Sequence, residues 1–233
     1  MLSAIQEYTT DFYRLFFPKL CGACEVPLTK GEQHVCVHCR LDLPFTNFES
    51  IKENPVDKLF HGRVQLEFAT SLLFFSKGDK VQQIMHNIKY NERKELAVFI
   101  GEIFGERVQN NLYMNSVTTI IPVPLHPQKQ HLRGYNQSEL FAQGMNTVLN
   151  KELSTNTIFR NTNTQTQTKK DRMERWQNVE HVFDVKNPDA LSNKHILLVD
   201  DVLTTGATLE ACARTLMEKC NCKVSIATIA VAM

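Results

Sequence analysis

No stretch of this chain approaches the roughly 20 apolar residues that a membrane-spanning helix needs. The start, "MLSAIQEYTTDFYRLFFPKL", is interrupted by Glu7, Asp11 and Arg14, so it has no unbroken apolar core for a signal peptide. Charge imbalance is also missing: 26 basic and 25 acidic residues leave a net charge of +1, and no global field draws the chain to nucleic acid or to an anionic membrane. No GxxxxGK[ST] loop occurs, which excludes a P-loop nucleotide site. A disulfide scaffold fits the cysteines less well than a metal does. The seven cysteines are few for 233 residues, and four of them form CxxC pairs, which suits a reducing compartment and a bound metal. The expectation is a cytoplasmic protein.

Residues 195–210, "HILLVDDVLTTGATLE", carry the first positive signal. Ile196, Leu197, Leu198 and Val199 form a short apolar run of the kind a parallel sheet buries on both faces. Leu209, Ala213 and Leu216 fall at helical spacing. Between strand and helix lies a tight turn around Gly206, where free backbone N–H groups and the positive end of a helix dipole make an anion site. Asp200 and Asp201 beside an anion site suit a ligand that is anionic at one end and rich in hydroxyls next to it, as a sugar phosphate is. "LLVDD" also looks like the start of a response-regulator receiver, but only 32 residues follow Asp201, too few for the later strands a receiver needs.

A second signal is Cys21-Gly-Ala-Cys24, eleven residues, then Cys36-Val-His-Cys39. Two such knuckles complete a tetrahedral Cys₄ site for a structural Zn²⁺, closed to catalysis, that folds a segment too short to fold alone. His34 and His38 lie inside the ribbon as alternative ligands, although four cysteines suffice. A redox CxxC fits poorly, since two copies flank one short loop and neither opens an obvious helix.

The chain divides into an N-terminal amphipathic helix (Ile5, Tyr8, Phe12, Leu15, Phe16) with the zinc ribbon (1–46), a polar linker (47–63) and a main domain (64–233) whose first part (64–110) forms a hood. The N-terminal helix is expected to pack on its own domain or on a partner, with membrane contact the lesser alternative. "VQLEFATSLLFF" reads as a strand with a turn in its middle, and "DKVQQIMHNIKY" and "ERKELAVFIGEIFGERVQ" as helices. "VTTIIPVP" leads to a helix from Gln137 to Leu149; "NTIFR", "HVFDV", "HILLVD" and "KVSIATIAVA" are further strands. Strands alternating with helices imply an α/β fold with a doubly wound parallel sheet and ligands beyond the carboxyl ends of its strands.

Asp200, Asp201, Thr204, Thr205, Gly206, Ala207 and Thr208 resemble the phosphoribosyl-pyrophosphate (PRPP) loop of type I phosphoribosyltransferases, a hydrophobic strand, two acids, then TTGxT. The Cys₄ ribbon, "NIKYNERKELA", "IIPVPLHPQKQHLRGYNQSELFA" and "RNTNTQTQTKKDRMERWQNVEHVF" come before it in an order similar to that of the ComF family of competence-related proteins. In the last segment Arg160, Thr164, Gln167, Thr168, Arg175, Asn178, Val179 and Phe183 fall on the pattern. Tyr135 stands where the family usually has Phe.

The resemblance implies that the acids accept hydrogen bonds from the ribose hydroxyls and that the threonine turn holds the 5′-phosphate of PRPP or a nucleoside 5′-phosphate. Mg²⁺ would then bridge ribose and diphosphate. Pro124, Leu125 and His126 correspond to the pyrophosphate loop, where His126 either binds diphosphate or caps the loop. Arg133 is either a phosphate-binding guanidinium or a surface residue, and Lys89 and Tyr90 reach over the site from the hood. Residues 161–178, with Gln167, Thr168 and Arg172, form a lid over the phosphates or, through Lys169, Lys170, Arg172, Arg175 and Trp176, a strip for single-stranded DNA. As an enzyme the protein would transfer a phosphoribosyl group to an acceptor that the sequence does not identify. As an adaptor it would bind single-stranded DNA and a competence helicase or recombination protein.

Overall fold

The computed structural model describes residues 16–161 and 182–232. In chain order the regular elements are α1 (Val37–Leu41), α2 (Pro55–Lys58), β1 (Phe68–Phe75), α3 (Lys80–Tyr90), α4 (Lys94–Val108), α5 (Leu112–Asn115), β2 (Thr119–Pro122), α6 (Pro127–Arg133), α7 (Gln137–Leu149), β3 (Glu152–Leu153), β4 (Ile158–Arg160), β5 (Phe183–Val185), β6 (His195–Leu203), α8 (Ala207–Cys220) and β7 (Lys223–Ala232). Five strands form one parallel sheet in the order β1-β7-β6-β2-β3.

Both faces of the sheet are covered, which explains why β6 and β7 read as nearly continuous apolar runs rather than alternating ones. Ile84, Ile100 and Phe141 from α3, α4 and α7 join one core with Leu197 and Val199. Leu209, Ala213 and Leu216 from α8 join the other with Leu198 and Ile226. Helices α4 and α7 meet backbone to backbone, since a side chain at Gly144 would collide with the carbonyl of Val98 and one at Gly101 with that of Phe141. The expected α/β sheet with helices on both faces is what forms.

Several elements differ from the sequence reading. β1 is a single strand over Phe68–Phe75 with no turn inside it, because six of its residues are buried and pair in unbroken register with β7. β4 and β5 leave the main sheet and pair with each other antiparallel. The stretch 47–63, expected as a linker, packs against β1. Asn54 caps α2 by accepting from Val56 and Asp57, its amide donates to the carbonyl of Ala69 at 2.8 Å, and Val56 and Phe60 are fully buried. The ribbon also packs closely, since Cys21, Ala23, Val35, Cys39 and Leu43 share the core of α3 and α4. Thus 64–110 contains the edge strand β1 as well as α3 and α4. Ile5, Tyr8, Phe12 and Leu15, and the segment carrying Gln167, Thr168 and Arg172, lie outside the described residues.

Candidate functional site

The acid pair sits in the last turn-ward residues of β6, next to the end of β2, where Pro122 pairs with Val199. Asn136 joins these strand ends to α7. Its amide donates to the carbonyl of Val123 at 2.9 Å while its Oδ1 caps the helix by accepting from the Ser138 amide at 3.1 Å. That cap sets Ser138 over the acids, and its hydroxyl donates to Asp200 Oδ1 at 2.8 Å. From the last turn of α3, the Lys89 ammonium meets Asp201 Oδ2 at 2.8 Å. Burial and the adjacent charge of Asp201 push the Asp200 carboxyl up to about 7, against the pull of the Asp201 amide, Ser138 and Lys89. Asp200 therefore holds a proton for part of the time at neutral pH.

Beyond Leu203 the chain turns. Thr204, Thr205, Ala207 and Thr208 are exposed, and Gly206 is buried with φ +76, a conformation that costs glycine nothing. Gly206 is the N-cap of α8, whose first amides have no acceptor within the helix. The turn is held from beneath by the segment expected as a linker. A Cβ at Gly206 would come within 3.0 Å of the Phe60 ring. Arg63 Nη1 donates to the Thr205 carbonyl at 2.9 Å, and its Nε and Nη2 grip Glu210 Oε2 at 2.9 and 2.6 Å. Exposed hydroxyls and amides at a helix start, beside two acids, can hold an anion next to a polyol.

The neighbouring loop and α6 hold His126 and Arg133. His126 caps α6, its Nδ1 accepting from the Gln128 amide at 3.3 Å, while Pro124 and Leu125 are half-buried before it. Arg133 is half-buried rather than a free surface group: Nη1 donates to Gln137 Oε1 at 2.8 Å and the guanidinium lies 5.3 Å from the Tyr90 ring centre. Lys89 and Tyr90 thus reach the acids and the loop, as their sequence position suggested. Ser138, Asn136 and Arg63 were not singled out from the sequence. Only the Asn-Gln-Ser start of α7, an N-cap signal, hinted at the first two.

The four cysteines come together, with Sγ atoms all within 4.8 Å of one another and Cys24 and Cys36 at 3.9 Å. Tetrahedral zinc with Zn–S of about 2.3 Å needs sulfurs about 3.8 Å apart, so the set fits a structural Zn²⁺. Burial raises the Cys21 thiol, but the amides of Cys36, Ala23 and Cys24 outweigh it and bring it down to about 7. Cys212, Cys220 and Cys222 lie elsewhere, buried in the core around α8.

With this geometry in view, the relatives are informative. Residues 136–233 match the model of the phosphoribosyl transferase domain. The competence protein ComFC of Bacillus subtilis is 27% identical over 201 residues, covering 86% of this chain and 79% of its own. This chain is a homologue of the ComF competence proteins. The DNA utilization protein YhgH of Escherichia coli K12 is 25% identical over 220 residues, 87% of this chain and 92% of its own. Competence protein F of Haemophilus influenzae is 36% identical over 98 residues, 42% of this chain and 43% of its own. The matched range contains α7, β6, the turn and α8. No helix among the described residues is long and apolar enough to cross a membrane.

Proposed function

We propose that this ComF homologue serves DNA uptake, and that it binds PRPP or a nucleoside 5′-phosphate with Mg²⁺ at Asp200, Asp201 and the 204–208 turn. The observation that carries the reading is the acid pair set against a helix-capping turn whose threonines are exposed and whose glycine adopts positive φ. The acids would accept from the ribose hydroxyls, and Thr204, Thr205 and Thr208 with the first amides of α8 would take the phosphate. Ser138 keeps Asp200 oriented, and Lys89 partly neutralises Asp201 until a ligand enters. Arg133, in front of α7 and held by Gln137, would supply a guanidinium to the diphosphate. Mg²⁺, when bound, would neutralise the diphosphate and hold it to the ribose.

If the site turns over, an acceptor displaces pyrophosphate from the anomeric carbon: the new bond forms there, the C–O bond to diphosphate breaks, and the electron pair leaves with pyrophosphate. That chemistry needs positioning and charge stabilisation rather than a protein nucleophile. A second reading, a non-catalytic adaptor for single-stranded DNA, is favoured by α6. This helix buries no residue and carries Lys129, His131 and Arg133 without an acid. Phosphorus NMR of the protein with PRPP, Mg²⁺ and a panel of bases tests turnover. Release of pyrophosphate only in the presence of one base supports transfer, and bound but unconsumed PRPP supports the adaptor.

A further inference from the structure

The last turn of α3 reaches four parts of the molecule through four consecutive residues. The buried Asn87 side chain donates to the carbonyl of Gly22, at 2.9 Å, inside the first cysteine knuckle. The carbonyl of Ile88 accepts from the hydroxyl of Tyr135, which follows the loop ending at Gly134. The Lys89 ammonium meets Asp201 at 2.8 Å. The Tyr90 ring lies against the Arg133 guanidinium. A helical turn is stiff, so a displacement at one of these residues is passed to the other three.

Gly22 is fixed from both knuckles. It stands between Cys21 and Cys24, and its amide donates to the carbonyl of His34, at 2.7 Å, just before Cys36. The side chain of Leu96 closes over it, leaving no room for a Cβ. The position of the Gly22 carbonyl therefore depends on whether the four sulfurs share one centre. We infer that Asn87 is a positioning residue that couples the four-cysteine cage to the acid pair, so that metal in the cage and ligand at Asp200 and Asp201 strengthen one another's binding. The inference rests on the ligand reading above and gives the ribbon a role beyond folding. Metal holds the knuckle, Asn87 transmits its position along two residues of helical rise, and Lys89 carries it to Asp201. By linkage the effect is reciprocal: the ligand must raise metal affinity by the same factor by which metal raises ligand affinity.

The test uses the zinc-loaded full chain. The zinc dissociation constant is read by equilibrium competition with a chromophoric chelator, in Mg²⁺ alone and in Mg²⁺ with saturating guanosine 5′-monophosphate, whose own binding is followed by calorimetry. In the wild type the nucleotide lowers the zinc dissociation constant about fivefold or more. Asn87→Ala and Lys89→Met cut the path at its two ends. Asn87→Ala binds zinc and nucleotide yet loses the shift; Lys89→Met, measured at a nucleotide concentration saturating for that variant, loses it too, and Lys89→Arg restores it. Should Asn87→Ala not fold, Lys89→Met alone carries the comparison. A wild type that binds the nucleotide with an unchanged zinc constant overturns the coupling and leaves the ligand reading standing. A shift that persists in both variants overturns the role of Asn87, and a wild type that binds no nucleotide overturns the coupling and the ligand reading together.

Discussion

The Ser138 hydroxyl donates to Asp200 Oδ1 at 2.8 Å, across 62 positions of sequence, because Asn136 pins the start of α7 to the end of β2. This bond and the Asp201 amide both favour the ionised carboxylate, yet burial and the neighbouring carboxylate win and hold Asp200 at about 7. A folded-state value above the unfolded one means that the folded chain keeps a proton the unfolded chain releases. The stability owed to Asp200 is then fully present below about pH 4 and is lost as pH rises through about 7.

Asp200→Asn therefore raises the melting temperature at pH 8, and the gain shrinks to nothing as pH falls to about 4, in a pH series of thermal denaturation. Ligand affinity of the wild type runs the other way. Protonation removes acceptor capacity and metal attraction, so calorimetric affinity for a nucleoside 5′-monophosphate with Mg²⁺ falls as pH drops through 7. A pH-independent gain from Asp200→Asn contradicts the assignment.

The cysteine cage gives a stoichiometric prediction. Atomic spectroscopy finds about one zinc per chain. Cys36→Ser combined with Cys39→Ser abolishes it and lowers thermal stability, since metal binding contributes to the folding of such ribbons. Cys212→Ala and Cys220→Ala leave the metal content unchanged, because both side chains pack around α8. Zinc retained in the double serine variant excludes these ligands.

Arg63 and Phe60 shape the phosphate turn from below. Arg63→Ala removes the donor to the Thr205 carbonyl and the grip on Glu210, and it weakens binding of a nucleoside 5′-monophosphate about tenfold, roughly the 1.4 kcal/mol of one hydrogen bond to a charged group. Affinity for inorganic pyrophosphate, which the proposal assigns to the other loop, stays within twofold. Gly206→Ala costs about 1–3 kcal/mol of stability, because alanine is strained at φ +76 and its Cβ meets Phe60. Equal loss for both ligands in Arg63→Ala would show a general loosening instead of a turn-specific effect.

How much of this was legible in the sequence follows from how local each signal is. The strand, acids, turn and helix of 195–216 are contiguous, and every residue there declares its own conformation, so the motif was readable directly. The cysteines were readable because metal ligation fixes their spacing. Lys89 was placed over the site because "NIKY" ends a strongly patterned helix. Arg63 was missed because 47–63 is polar by composition, although Asn54 before Pro55 is a helix-start signal and Val56 and Phe60 lie one turn apart. Ser138 and Asn87 could not be read, since their partners are 62 and 65 residues away and depend on how α7 and the ribbon pack. His126 caps α6 through a contact only two residues away, with Gln128, which is the kind of local signal a sequence carries.

Isothermal titration of guanosine 5′-monophosphate with Mg²⁺ into the wild type and into Asp200→Asn combined with Asp201→Asn tests the central claim most directly. Zinc content and melting behaviour of the variant serve as checks of folding. The wild type binds, and the folded double variant binds at least about tenfold more weakly, a difference of about 1.4 kcal/mol. Equal affinity in the two proteins, or no binding by the zinc-loaded wild type, contradicts the assignment of this site.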